Sequence, residues 1–240
     1  MKFLVKILIC VVLLTSVADA HEIFNISGSG IPLYWTTGNL NSTGAPGLKV
    51  YKNFVSSENS YYYYENYYSD AVSKWNNISY GTVTVTTTFV PLDSLSNVAL
   101  YNSSYVWDAY GCNNNALACT LVKDTNNNIL RTPSQANNST KLIKYATICL
   151  NPDISVFTSG LSTADPTYAT KLMNRIKKTI THEVGHALLL GHPDVYSTIP
   201  SNVSSVMRQG YPDSSTNISL TPALHEKSDI RSKYQYHNTL

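Results

Sequence analysis

Charge is scarce in this chain. Asp, Glu, Lys and Arg make up only 13% of its 240 residues, and the formal net charge is +2. So even a balance argues against a nucleic-acid partner or an anionic membrane surface. Cysteine is sparse too, at Cys10, Cys112, Cys119 and Cys149. After residue 20 no apolar run approaches the about 20 residues that cross a bilayer, so no stable membrane anchor is expected. No internal repeat is visible, and no dense acidic loop occurs. Histidine appears six times and glutamate five times. In a chain so poor in both, their clustering carries information.

The first twenty residues read as a signal peptide. Met1-Lys2 and Lys6 make a positive start, Ile7 to Leu14 is apolar, and Ala18-Asp19-Ala20 offers small residues for cleavage. The expectation is a secreted, extracellular protein beginning near His21. Loss of Lys2, Lys6 and Asp19 takes the net charge from +2 to +1. The remaining length fits one domain of ordinary size, read as a monomer. Cys10 leaves with the signal segment. In an oxidising compartment Cys112 and Cys119 could close a small loop, with Cys149 left in an apolar strand; another pairing stays open. Asn-x-Ser/Thr acceptors stand at Asn25, Asn41, Asn77, Asn102, Asn137, Asn138, Asn202 and Asn217.

Glycine and proline crowd residues 21–56, which therefore read as an irregular, loop-rich opening that Tyr34 and Trp35 tuck against the body. Glu58 to Asn77 holds a tyrosine cluster, and Ala71, Val72, Trp75 and Ile78 follow at helix-like spacing, more in keeping with a helix core than with a ligand platform. Gly81 to Val90 alternates Thr and Val and is the clearest strand. Val98–Tyr101, Ala116–Val122 and Lys144–Leu150 are further strand candidates, and 124–140 is a polar surface loop. Asp165-Pro166 resembles an N-cap and a first-turn proline. From there Leu172, Met173, Ile176, Ile180, Val184 and Ala187 keep an apolar helical face to about Leu190. A last helix is expected over 223–236. The fold class is α+β, strands first and a long helix behind them.

That long helix carries His182-Glu183-Val184-Gly185-His186, and His192 follows. Residues four apart share one side of a helix, so two imidazoles reach one cation, while Glu183 projects from the next sector, where a carboxylate could act on water. Chance would give the first five residues' pattern with probability roughly 0.003, too low to prefer. Ten residues of unbroken helix span about 15 Å, whereas zinc–nitrogen bonds are about 2.0–2.1 Å. His182 and His192 can therefore share an ion only if the helix stops between them. Gly191 is the residue best suited to the stop, and Pro193 prevents resumption.

His182-Glu183-x-x-His186-x-x-Leu189-x-x-His192 resembles the extended zinc signature of the metzincin metallopeptidases, and most of all the matrixins. Ala71 to Asn77 is similar to the first helix of those domains, and Ala146 to Asn151 to the strand before the zinc helix. Ser204-Ser205-Val206-Met207 is similar to the methionine turn, and Ser228-Asp229-Ile230 with Tyr234 to the closing helix. The resemblance implies a metzincin-like domain over 57–240: a twisted, mostly parallel sheet, an upper lobe to about 191 and a small irregular lower lobe from 192. It implies one zinc held by His182, His186 and His192, Glu183 as general base, Met207 as a structural floor, and a protein or peptide substrate lying along an edge strand, here Ala116–Val122. Calcium is a further ion by the same analogy, with no motif for it. The family usually has glycine where this chain has Leu189. If that site needs positive φ, leucine is strained by roughly 1–2 kcal/mol. A catalytically impaired zinc protein acting as a binding module is the alternative. Other readings are a closed structural zinc site completed by Asp194 or His225, and a thermolysin-like site with Glu226 as third ligand.

Overall fold

The computed structural model describes residues 34–42, 44–80, 83–130, 142–192, 205–208 and 220–235. The expected signal peptide, Gly81, Pro193, Asp194, Ser204 and most of the irregular lower lobe lie outside the described residues. The strands are β1 (Tyr34–Trp35), β2 (Gly47–Asn53), β3 (Ser79–Tyr80), β4 (Val83–Thr84), β5 (Thr86–Phe89), β6 (Val98–Tyr101), β7 (Ala118–Asp124) and β8 (Leu142–Leu150). The helices are α1 (Tyr61–Ser73), α2 (Ser104–Ala109), α3 (Ser155–Thr158), α4 (Tyr168–Ala187) and α5 (Leu224–Gln235).

The architecture is α+β, built on a six-stranded sheet of order β1-β8-β6-β2-β5, with β7 added to β8. Every pairing is parallel except β7 with β8. Parallel neighbours need a crossover, and α1 supplies one between β2 and β5. β3 and β4 form a separate antiparallel hairpin, against which α5 packs. Among the described residues no helix is long and apolar enough to cross a membrane.

Several sequence expectations are corrected. Gly47–Asn53, inside the segment read as irregular, is β2, an interior strand between β5 and β6. Its glycine- and proline-rich surroundings hide a short buried alternation, Leu48 and Val50. The Gly81–Val90 strand is two strands: at Val85 the chain leaves the β3 hairpin, its N–H bonding Ile78, and joins β2 through Thr86. The tyrosine cluster is helical, but α1 ends at Ser73, so Trp75 and Ile78 are core residues beyond it. Asp165 accepts from the Thr167 backbone N–H at 2.7 Å, as a cap would, yet residues 165–167 form a turn and α4 starts at Tyr168.

α4 runs between α1 on one side and β7 and β8 on the other. Its apolar stripe of Leu172, Ile176, Ile180, Val184 and Ala187 is buried, as are Trp35, Trp75, Tyr64, Phe157 and Tyr234 around it. Burying a side chain of this size contributes about 1.5–3 kcal/mol, so the stripe fixes the helix's rotation. Polar groups on the buried half find partners. Thr181 Oγ1 donates to the Lys177 and Ala71 carbonyls, and the Trp75 indole N–H donates to the Thr181 carbonyl at 2.7 Å. Trp35 is buried and donates its indole N–H to the Ala187 carbonyl at 3.0 Å, tying the N-terminal segment to the end of α4.

Candidate metal centre and active site

The helix stops where the spacing requires a stop, and of the two candidates for the turn, Leu189 and Gly191, it is Leu189 that takes it. Leu188 is the C-cap. The Leu189 N–H bonds the His186 carbonyl at 2.8 Å, and the Leu190 N–H bonds the Gly185 carbonyl at 3.0 Å. This pair of bonds is a Schellman motif, which needs positive φ at the residue after the cap. Leu189 has φ 67°, and the turn expected at Gly191 is thus taken two residues earlier. The other non-glycine residues with positive φ among those described are Asn77 and Asn127, a type that tolerates it.

Leucine survives there because its side chain is fully buried. Burial contributes about 1.5–3 kcal/mol, against roughly 1–2 kcal/mol for the left-handed backbone. The two terms set the order of two variants. Leu189→Ala keeps a Cβ in the strained backbone and loses the packing, whereas Leu189→Gly loses the packing but also the strain. In urea unfolding both variants are expected below wild type, with alanine about 1 kcal/mol less stable than glycine. The reverse order would remove the strain argument.

Past the turn the chain doubles back and brings His192 onto the helical pair. His192 Nε2 lies 2.9 Å from Nε2 of both His182 and His186. The outer nitrogens of the helical pair are anchored: Nδ1–H of His182 donates to the Val206 carbonyl at 3.0 Å, and Nδ1–H of His186 to the Leu190 carbonyl at 2.7 Å. A carbonyl can only accept, so both Nδ1 atoms carry the proton and both Nε2 lone pairs face inward. One proton on His192 could satisfy at most one of them, whereas a cation satisfies all three. Burial also holds the imidazoles neutral. It pushes His186 down to about 4 and His182 well below its usual range, the latter helped by the neighbouring histidines. Neutral imidazole is the form that binds a metal. His182, His186 and His192 can hold a metal ion.

Glu183 is buried beside the triad, and burial pushes its carboxyl up to about 7. Oε2 accepts from the Thr120 hydroxyl at 2.6 Å. Thr120 belongs to β7, the antiparallel strand that begins and ends two residues later than the expected edge. Among the described residues β7 pairs with no strand but β8. Segment 128–130 closes its other edge at Val122–Asp124, the Leu130 N–H donating to the Val122 carbonyl and Lys123 bridging Ile129. The first half of that edge, around Thr120, is the part without a strand partner. Cys112 and Cys119 form a disulfide at the start of β7, and Cys149, buried on β8, sits opposite Cys119.

Met207 is fully buried, and its sulfur lies against Gly185, between the two helical histidines. The floor is held by Glu226. Its Oε1 accepts from the Ser205 hydroxyl at 2.8 Å and the Met207 N–H at 3.0 Å, and its Oε2 from the Ala223 N–H at 2.5 Å. The last bond is half of a capping box at the start of α5. One carboxylate therefore starts a helix and pins the turn whose Val206 carbonyl orients His182. This engagement corrects the reading of Glu226 as a third ligand. Neither Glu226 nor His225 belongs to the converging set of nitrogens.

Sequence reasoning missed Thr120 as a site residue and weighed Glu226 only as a metal ligand, not as the group that pins the floor. The one signal for Glu226 was its place in the first turn of a proline-led helix; with alanine at position 223 the capping-box pattern itself is absent. For Thr120 there was none, because a lone threonine in a strand names no partner across the sheet. A comparison of the chain with protein-family profiles and with curated protein sequences gave no match.

Proposed function

We propose that the protein is a secreted, zinc-dependent endopeptidase of metzincin type, matrixin-like, with an upper lobe to about 191 and a lower lobe from 192. The observation that carries this reading is the convergence of three imidazoles, two of them anchored by backbone carbonyls, with a buried carboxylate on the residue next to the first. Zinc prefers nitrogen ligands in tetrahedral array, and three protein ligands leave one position open, as in catalytic rather than structural sites. When bound, zinc acidifies water and polarises a carbonyl. The chain's own groups supply the rest. Nε2 of His182, His186 and His192 would hold the ion, and the Val206 and Leu190 carbonyls fix two of the rings. Glu183 would take the proton of the attacking water and deliver it to the leaving amine as the C–N bond breaks. The first half of the β7 edge, around Thr120, would pair with an extended substrate main chain.

The test uses purified protein on denatured protein substrates. Cleavage is expected, its loss with a chelator, and its return on adding zinc. His192→Ala is expected to weaken zinc binding by more than about 100-fold, since a ligand matters more than its outer partner. Zinc-loaded protein that cuts nothing would favour the binding-module alternative. Unchanged affinity in His192→Ala would refute the triad.

A further inference from the structure

Alternation along β7 puts Ala118, Thr120, Val122 and Asp124 on one face, and Val122 and Asp124 are buried there. α4 packs against this strand. At the level of Glu183 the face carries a hydroxyl where an apolar side chain would fill the same space. That hydroxyl has one proton and two acceptors within reach, Glu183 Oε2 at 2.6 Å and the Glu183 carbonyl at 3.2 Å. The shorter, charge-assisted bond to the carboxylate prevails. No other hydrogen bond to this carboxylate occurs among the described residues.

We propose that Thr120 is the positioning residue for Glu183, selecting the one side-chain orientation in which the carboxylate can serve the proposed hydrolysis. α4 cannot supply this, because its rotation is already set by the buried stripe and by His182 and His186. What stays free is the three-torsion side chain of Glu183, and only a neighbouring element can hold its tip. β7 is a firm anchor. The residue before Thr120 is the disulfide-bonded Cys119, and Thr120 itself is registered against Ile148 of β8. The branched Cβ of threonine also restricts χ1, so the donor points one way.

The kinetic readout rests on the peptidase reading; the structural readout does not. Thr120→Val keeps shape and branching and removes the donor. It is expected to lower kcat about 10- to 100-fold, the scale of a misplaced reacting group, with KM and zinc stoichiometry unchanged. Thr120→Ser restores the donor and should recover most of the loss. In the zinc-loaded crystal structure of Thr120→Val, the Glu183 carboxylate should leave its place while the three imidazoles stay. Wild-type kcat in Thr120→Val, or equal impairment in Thr120→Ser, would overturn the proposal. If even wild type fails to cleave, the peptidase reading falls, and the carboxylate position in Thr120→Val still decides this one. A carboxylate that has not moved refutes it. Thr120→Ala is the second deletion, should valine disturb the strand.

Discussion

Glu183→Gln is expected to lower peptide hydrolysis about 10³- to 10⁴-fold with zinc still bound, the scale of losing a general base. Glutamine keeps the volume and an oxygen for the Thr120 hydroxyl to donate to, so packing cannot account for the loss. The same substitution should stabilise the metal-free fold. Burial raises the Glu183 carboxyl from 4.5 to about 7, and each unit corresponds to about 1.4 kcal/mol. Because the folded state holds the proton more tightly than the unfolded chain, the penalty is on the anion. It is fully present above about pH 7 and vanishes below about 4.5. Glu183→Gln should therefore exceed wild type by about 3 kcal/mol at pH 8 and lose that advantage as the pH falls to 4.5. Parallel measurements of kcat and of urea stability across this range test both halves. A variant that keeps its activity would remove Glu183 from the chemistry. One equally stable at pH 8 would contradict the burial argument.

The second large effect is expected at Gly185, the residue between the helical histidines. A Cβ built there would overlap the Met207 sulfur and stand 2.9 Å from Cζ2 of Trp75 and 3.0 Å from Cε of Met207. Trp75 cannot retreat without breaking its bond to the Thr181 carbonyl, and Met207 is enclosed on every side. Alanine would ordinarily gain up to about 1 kcal/mol over glycine inside a helix. Here overpacking, typically about 1–3 kcal/mol and more against pinned neighbours, outweighs that gain. Gly185→Ala should thus lower Tm by several degrees, about 2–4 °C per kcal/mol at this length. Displacing Met207 also moves the Val206 carbonyl off His182, so zinc affinity should fall about 10- to 100-fold. Gly38→Ala is the control, since its Cβ meets nothing within 4 Å. Equal melting of the two variants would show that Met207 yields freely.

The parts legible in the sequence were those written in local spacing. The four-residue interval put two imidazoles on one face of α4, and a length argument demanded a break before His192. β6, β7, β8 and α5 stood out by pattern within a few residues of their ends. What escaped were features decided across the fold. Leu189 takes the left-handed turn against its own propensity because a distant core buries it. β2 was concealed by the glycines and prolines around it. Thr120 and Glu226 act through partners 63 and 21 residues away, respectively. No single-strand pattern encodes such pairings.

The Glu226 carboxylate also bears on when the centre is completed. All three histidines are joined to the chain before the ribosome reaches Glu226, thirty-four positions after His192. A nascent chain therefore holds every ligand while still lacking the floor that orients the first of them. The placing of His182 thus waits on Glu226, and a truncation that removes α5 is expected to weaken metal binding without touching any of the three histidines.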